Sequence, residues 1–338
     1  MARDQADHAV QRLGEETAAI EQQMATVMEG KPEVVRLLLV SLLAGGHVLL
    51  EDVPGVGKTL LTKALGRSLE CTVKRVQFTP DLLPTDITGV TVYQQESGRF
   101  TFRPGAVFAN VVLGDEINRA GPKTQSALLE AMEEQQVTID GVTHALPSPF
   151  LVIATQNPIE LEGTYPLPEA QRDRFLMRLS IGYPSADAEL EVLEVHGEGD
   201  RLAELSPVTD ASSINWLKEV VGQLHAAPAL RRYIVDVVRA TREHPAVELG
   251  ASPRASLALL RAARALAAIA GRDFVIPDDV KHLTPYVLAH RLVLTPQARM
   301  GDATPDDVLA EVLASVAVPT SDRGPQAGAP RRQAASLR

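Results

Sequence analysis

Residues 49–65 have the sequence LLEDVPGVGKTLLTKAL, and this stretch decides the fold class of the chain. The apolar residues 47–50 predict a short strand. The segment that follows, residues 51–59, is rich in glycine, and the residues after Thr59 have helix-forming composition. Strand, glycine loop and helix in this order are typical of a loop that binds phosphate groups.

The residue types in this loop match the chemistry of phosphate binding. Glycines let consecutive backbone N–H groups turn inward around an anion, and the start of the next helix favours negative charge. Lys58 supplies a cation for the β- and γ-phosphates, and Thr59 supplies a hydroxyl for Mg²⁺. The pattern G-x-x-x-x-G-K-[ST] has glycine where this chain has Asp52, and a simple glycine turn is the competing interpretation. The predicted nucleotide-binding residues are Asp52, Val53, Pro54, Gly55, Val56, Gly57, Lys58, Thr59 and Leu60.

Polar residues follow two further buried-strand candidates. Asp115 and Glu116 come directly after the apolar residues 109–114, and Asn157 follows residues 150–155. An acid at the carboxyl end of a strand beside the loop strand can hold Mg²⁺ through water. A second acid there can accept a proton from an attacking water, which Asn157 could orient. In isolation, an Asn-Pro turn is the better explanation of Asn157.

Two arginines stand out by their positions. Arg174 lies in EAQRDRF (169–175), near the end of a predicted helix, where a lone arginine is most often a surface cation. Arg254 opens a predicted helix that Ser252 could cap and that has Pro253 in its first turn. Because the helix dipole disfavours a cation at this end, Arg254 indicates a task such as phosphate binding.

The composition excludes several classes of protein. The chain has 338 residues, enough for two domains, and its net charge of −10 argues against binding nucleic acid through bulk positive charge. Its one cysteine, Cys71, excludes an intrachain disulfide and a cysteine-based metal site within one chain. No apolar run approaches the roughly 20 residues that span a bilayer, and the amino terminus lacks an apolar signal core. We therefore expect a cytoplasmic protein.

Strand and helix signals alternate up to residue 184, which predicts a mostly parallel sheet covered on both faces. The patterns beyond that point are helical. The predicted strands of the sheet are residues 47–50, 73–78, 109–114, 150–155 and 175–181. The predicted helices that flank this region and follow it are residues 9–29, 32–43, 186–196, 212–225, 229–243, 254–270, 277–289 and 305–316.

These patterns divide the chain into four parts. Residues 319–338 are rich in Ala, Pro, Arg, Gln and Ser, which predicts a disordered tail. Residues 136–146 alternate and turn at Asp140-Gly141, which predicts a hairpin, and residues 90–103 predict a second one. The predicted parts are an N-terminal helical segment (1–30), an α/β nucleotide-binding domain (31–184), a helical domain (185–318) and the tail (319–338).

Four blocks of sequence resemble the MoxR family of AAA+ ATPases. The most specific is GDEINRAGPKTQSALLEAMEEQQVTIDG (114–141), and the resemblance covers about residues 15–318. It implies an AAA+ P-loop core with a parallel five-stranded sheet between helices, and a C-terminal all-helical lid domain. It also implies a hairpin inserted in helix 2 (79–106) and a hairpin before sensor 1 (135–150), both facing a ring pore or a partner. The four blocks are residues 49–65, 114–141, 154–175 and 250–255.

The same resemblance implies roles for individual residues. Asp52 is usual at its position in the family, so the departure from the general loop pattern does not weaken the assignment. The matching positions are Lys58 and Thr59 for the Walker A ligands of phosphate and Mg²⁺, Asp115 and Glu116 for the metal-coordinating acid and catalytic base, Asn157 for sensor 1, Arg174 for the arginine finger and Arg254 for sensor 2.

Two of these roles leave alternatives open. Arg254 could act in its own subunit or in the neighbouring one. Arg172 stands where an apolar residue is more usual in the family, and it competes with Arg174 as the finger.

The resemblance implies an ATPase that needs ATP and Mg²⁺ and hydrolyses ATP at the subunit interfaces of a ring, with six subunits as the family expectation. It implies chaperone-like remodelling or maturation of a protein client, with a von Willebrand A-domain partner. A nucleotide-gated assembly scaffold and a nucleic-acid translocase are the alternatives. Glu116 and Arg174 argue against the scaffold, because a pure switch could lose either, and the negative charge argues against the translocase.

Overall fold

The computed structural model describes residues 3–157, 163–186, 189–190 and 201–319. The predicted tail beyond residue 319 and most of the predicted helix 186–196 lie outside the described residues. The strands are β1 (Val48–Glu51), β2 (Val73–Gln77), β3 (Gly89–Gln94), β4 (Arg99–Pro104), β5 (Val111–Asp115), β6 (Gln136–Ile139), β7 (Val142–Ala145), β8 (Leu151–Gln156), β9 (Met177–Leu179), β10 (Val247–Leu249) and β11 (Val293–Leu294).

Helices surround the sheet and predominate among the described residues beyond 200. None of them is both long and apolar enough to cross a membrane. They are α1 (Arg3–Ala25), α2 (Pro32–Leu43), α3 (Lys58–Ser68), α4 (Pro84–Thr88), α5 (Pro122–Glu134), α6 (Glu169–Arg172), α7 (Arg201–Glu204), α8 (Ala211–Gln223), α9 (Pro228–Glu243), α10 (Pro253–Ile269), α11 (Pro277–Leu288), α12 (Pro296–Met300) and α13 (Pro305–Ser315).

The predicted five-stranded parallel sheet is confirmed, with strand order β2-β5-β8-β1-β9. The central strand β8 is buried from Leu151 to Thr155, because helices cover both faces of the sheet. The edge strand β2 buries only Val76. Since all five strands point the same way, their carboxyl ends share one edge of the sheet and their amino ends share the other.

The predicted helical domain is confirmed, and it contains two short strands that the sequence did not predict. β10 and β11 pair antiparallel between Val247 and Leu294 and between Leu249 and Val293. Strands of three and two residues are too short for an alternating pattern, so only the fold reveals them.

The N-terminal helix α1 packs against α2 and α3 and also against α8 and α10 of the helical domain. It therefore joins the two halves of the molecule. The sequence predicts this helix over residues 9–29, but α1 ends at Ala25, and Val27 and Met28 lie in the turn before α2.

A buried arginine fixes the helical domain to the amino-terminal edge of the sheet. The side chain of Arg291 is 3% exposed, and its Nε donates to Asp173 Oδ1 at 2.7 Å. Its Nη2 donates to the carbonyl of Phe175 at 2.6 Å, just before β9. Burial lowers the pKa of Arg291, and the hydrogen bond to Asp173 opposes that shift. Because Asp173 compensates the buried charge of Arg291, removing either partner would strongly destabilise the fold.

A buried histidine ties the start of β1 to its neighbours. The N–H of Val152 donates to His47 Nδ1 at 3.0 Å, and His47 Nε2 lies 3.1 Å from the carbonyl of Met132. Both contacts together require the neutral imidazole with its proton on Nε2. Burial lowers the pKa of His47 to about 4.

This arrangement predicts a loss of stability in mild acid. In the unfolded chain His47 titrates near its ordinary pKa of 6.5, whereas its folded pKa is about 4. Its contribution to stability is therefore complete above pH 6.5 and is lost as the pH falls towards 4. We expect the unfolding free energy of the wild type, relative to His47→Gln, to fall by about 1.4 kcal/mol per pH unit in this window. Urea denaturation at several pH values measures this difference in unfolding free energy. A difference that does not change with pH would contradict the prediction.

Candidate active site

The glycine loop leaves β1 at the carboxyl edge of the sheet and enters α3 at Lys58. Gly55 and Gly57 have φ values of +87° and +95°, in the left-handed region that favours glycine. No heavy atom lies within 4 Å of the position that a Cβ would take at either residue, so the loop encloses open space. Lys58 Nζ donates to the carbonyl of Asp52 at 2.8 Å and closes the loop on itself.

The side chain of Asp52 does not line this open space. It is buried, and its Oδ1 accepts from the hydroxyl of Ser180 at 2.8 Å and from the N–H of Gly182 at 3.1 Å. Its Oδ2 accepts from the N–H of Ile181. The sequence groups Asp52 with the nucleotide ligands, and in the structure its side chain anchors the loop to the segment after β9.

A threonine in the central strand holds the two predicted acids. The hydroxyl of Thr155 donates to Asp115 Oδ1 at 2.6 Å and accepts from the N–H of Glu116 at 2.9 Å. Glu116 has a φ of +58°, which is rare for a residue with a side chain and costs on the order of 1–3 kcal/mol. Such strain is typical of functional sites, where it aims a side chain in a fixed direction.

Two side chains of β2 contact the same acids, and the sequence analysis missed both. Arg75 Nη2 donates to Asp115 Oδ2 at 2.7 Å, and Gln77 Nε2 donates to Glu116 Oε2 at 2.7 Å. Arg119 Nη1 also donates to Glu116 Oε2, at 3.1 Å. Residues 75 and 77 are two apart in one strand and so share a face, which is the only signal that the sequence offers.

The sheet order brings the separate sequence signals together. β8 lies between β1 and β5, so Asn157 follows the strand between the loop strand and the strand of Asp115 and Glu116. Asn157 is buried. Residues about 40 to 100 positions apart in the chain therefore meet at one edge of the sheet.

A mainly apolar cavity of about 500 Å³ adjoins the glycine loop, with four charged residues also in its lining. Its walls combine Val56 and Leu60 of the loop region with Val27 and Met28 of the turn before α2 and with Ile181 after β9. This shape and chemistry suit a nucleobase placed beside phosphates. The spacing of Val27 and Met28 assigned them to the predicted helix 9–29, so the sequence analysis missed their place in this cavity.

The donor set fits a nucleotide with Mg²⁺. The loop is open at Gly55 and Gly57, and the hydroxyl of Thr59 and the carboxylate of Asp115 are the hard oxygen ligands that Mg²⁺ prefers. Mg²⁺ commonly binds through one or two such protein ligands together with phosphate oxygens. Thr59 and Asp115 are therefore the residues that could hold the metal.

Arg174 and Arg254 lie elsewhere. They line a cavity of about 200 Å³ that also includes Gly46 and His47, which precede β1, whereas the glycine loop follows β1. The four residues of β1 alone separate the two places by about 13 Å. The structure therefore does not bring these arginines to the glycine loop of their own chain.

Arg172 does not share that cavity. It lies in α6 and pairs with Glu169 at 3.7 Å, one turn earlier in the same helix. Arg174 lies beside Arg254, so the geometry favours Arg174 over Arg172 as the finger candidate.

The anchor at Asp52 predicts a clear effect on stability. Asp52→Ala leaves the hydroxyl of Ser180 and two backbone N–H groups without their acceptor, so we expect a loss of about 2–4 kcal/mol in unfolding free energy. The control is Glu51→Ala, which removes a partly exposed pair with Arg178 and costs about 1 kcal/mol or less. Urea denaturation measures both, and equal losses would refute the anchoring role.

The strand order, the glycine loop, the paired acids and the helical domain define an ATPase of the AAA class. The model of the family described as ATPase family associated with various cellular activities (AAA) matches residues 47–177. The model of the AAA lid domain matches residues 239–312.

Similar proteins define the family more narrowly. YeaC of Bacillus subtilis, an uncharacterized protein, is 51% identical over 87% of this chain and 92% of its own length. Chaperone MoxR1 of Mycobacterium tuberculosis is 47% identical over 89% of this chain and 82% of its own. The crystal structure of a candidate ATPase from Cytophaga hutchinsonii is 36% identical, with a TM-score of 0.88 over 94% of this chain and 99% of that one. The chain belongs to the MoxR family of AAA+ ATPases.

Proposed function

We propose that this chain hydrolyses ATP with Mg²⁺ at the interfaces between identical subunits of a ring, and that it uses the cycle to remodel a protein client. The observation that carries the proposal is the separation of Arg174 and Arg254 from the glycine loop of the same chain. An ATPase site needs cations at the γ-phosphate. A neighbouring subunit that presents these two arginines would complete the site, and in this proposal Arg254 acts in trans together with Arg174.

Each residue at the carboxyl edge has a defined task in this proposal. Lys58 binds the β- and γ-phosphates, and Thr59 and Asp115 hold the metal, which neutralises charge on the phosphates when bound. A carboxylate oxygen of Glu116 accepts the proton of the attacking water. Gln77 supports this role, because its amide donates to Glu116 Oε2 and fixes the carboxylate.

Asn157 orients the same water through its amide, which suits a neutral residue at the end of the strand between β1 and β5. The apolar cavity at Val27, Met28 and Ile181 receives the base. The site of one chain thus binds the whole nucleotide, and the cations that stabilise the transition state come from the next chain.

The chaperone role is supported by a relative, since the Mycobacterium tuberculosis protein is named a chaperone. We propose six subunits, a von Willebrand A-domain partner, a cytoplasmic location and a contact with that partner or the client through the two hairpins. The β3–β4 hairpin presents exposed aromatic rings. Phe100 is 73% exposed, and the centroid of its ring lies 5.1 Å from that of Tyr93. Exposed apolar groups on a protruding hairpin are typical of contact surfaces.

Glu116→Gln tests the site. It removes the proton acceptor and keeps the size of the side chain, so we expect the affinity for ATP to stay within about two-fold and kcat to fall by about 10²–10⁴. Equilibrium binding of a fluorescent ATP analogue and phosphate release measure the two quantities. An unchanged kcat would refute the role of Glu116 as the base.

Mixing variants tests the shared site. Arg174→Ala should bind ATP normally and lose hydrolysis by about 10³-fold or more, because its loss affects only the neighbour's site. Rings mixed from Arg174→Ala and Glu116→Gln subunits contain interfaces with one intact base and one intact finger. We expect them to recover activity when native mass spectrometry shows mixed assembly. Mixed rings without recovery would exclude a finger that acts in trans.

A further inference from the structure

We propose that Glu133 is a positioning residue that sets Arg174 and Arg254 as a pair for the ATP site of the neighbouring subunit. This inference rests on the proposed function. Glu133 is close to the end of α5, whose carboxyl end lies at the amino edge of the sheet. It therefore lies away from the glycine loop of its own chain.

One carboxylate joins both arginines. Arg174 Nε lies 3.1 Å from Glu133 Oε2, and Arg254 Nη2 forms an ion pair with Glu133 Oε1. The arginines come from different parts of the fold, since Arg174 precedes β9 and Arg254 begins α10 of the helical domain. Glu133 thus determines how far apart the two guanidinium groups lie, and it links a residue of each domain.

The charges at this place need such a counter-ion. Arg254 lies at the start of α10 and Glu133 at the end of α5, and each charge is disfavoured by the dipole of its own helix. The pairing of Arg254 with Glu133 therefore offsets both of these unfavourable interactions. Arg254 also lowers the pKa of Arg261 and of Arg291, after the larger effect of burial on both, so the surroundings are strongly positive.

The other acid in the same cavity already has partners. Asp173 Oδ1 accepts from Arg291, and Asp173 Oδ2 accepts from the hydroxyl of Ser252 at 2.9 Å. Glu133 is left as the carboxylate that holds the arginine pair. Without it, two neighbouring guanidinium groups would repel each other and separate into solvent.

The paired arginines remain accessible to another subunit. The side chains of Arg174 and Arg254 are 30% and 47% exposed, and that of Glu133 is 33% exposed. Glu133 itself would not contact the nucleotide, because a carboxylate repels phosphate. Its effect is exerted through the arrangement of the two cations before they meet the neighbour's γ-phosphate, which is a form of preorganisation.

Glu133→Gln tests the proposal, with Glu134→Gln as the matched control on the same helix. Glutamine keeps the size of the side chain and removes its charge. We expect kcat of Glu133→Gln to fall by about 10–100-fold, with unchanged ATP affinity and an unchanged urea midpoint. Glu134 is exposed and outside the cavity, so its variant should match the wild type. A wild-type kcat in Glu133→Gln would overturn the proposal.

Mixed rings separate a trans effect from a cis effect. Glu133→Gln mixed with Glu116→Gln should recover activity, because interfaces form between an intact base and an intact arginine pair. Glu133→Gln mixed with Arg174→Ala should not recover, because both variants damage the same face. Recovery in the second mixture would overturn the proposal.

A readout independent of turnover uses ADP with aluminium fluoride, which imitates the transferring phosphoryl group. Native mass spectrometry measures the fraction of rings held together by it. We expect Glu133→Gln and Arg174→Ala to lower this fraction to the same extent, and Glu133→Asp, which keeps the charge, to restore part of it. If Glu133→Gln loses stability, Glu133→Asp decides, and a kcat and ring fraction no higher than those of Glu133→Gln would overturn positioning by the carboxylate.

The same set distinguishes failure of the proposed function. If Arg174→Ala and Glu116→Gln do not complement each other, the proposed site shared between subunits is refuted. In that case, equal losses in the fraction of rings held by ADP and aluminium fluoride in Glu133→Gln and Arg174→Ala still support the positioning of Arg174 by Glu133. Unequal losses refute it.

Discussion

The common direction of the five strands is the constraint on which the rest of the molecule depends. Parallel strands place their carboxyl ends at one edge, and the order β2-β5-β8-β1-β9 puts β8 between the loop strand and the acid strand. From that central position Thr155 bonds to Asp115 and to the backbone of Glu116, and Asn157 follows two residues later. A change in strand order would scatter these groups, even if every strand still formed.

The amino edge of the sheet carries the arginines that the proposed site needs. The amino ends of the strands meet the helical domain, where the buried pair of Arg291 with Asp173 fixes the two domains together. That contact also places Arg174 and Arg254 at this edge, joined by Glu133. Anion-binding groups and the cations that would complete them thus lie at two ends of one sheet. In the proposed function, a chain built this way has half a site at each end, and a ring of identical chains would join the halves.

The same logic explains where the protein tolerates strain. Glu116 occupies a left-handed backbone conformation at a cost of on the order of 1–3 kcal/mol. Its N–H donates to the hydroxyl of Thr155, and its carboxylate accepts from Gln77 and Arg119, which holds it in place. Asp52 is buried, but its carboxylate is matched by a hydroxyl and two backbone N–H groups. The buried charge of Asp52 is acceptable because these three donors satisfy it. The rigid acids and the anchored loop keep the site in shape before the nucleotide binds.

Features that depend on neighbours along the chain could be predicted from the amino-acid sequence. They include the glycine loop, the helix 32–43 with its proline start, the buried strands and the acids that follow one of them, because short-range periodicity and turn chemistry encode these features. Contacts between distant side chains depend on how the elements pack in the fold. Gln77 of β2 contacts Glu116, which follows the neighbouring strand β5. Val27 lies outside its predicted helix and lines the cavity, and Glu133 pairs with arginines 41 and 121 residues away. No local pattern encodes such pairings, because strand order and domain docking create them.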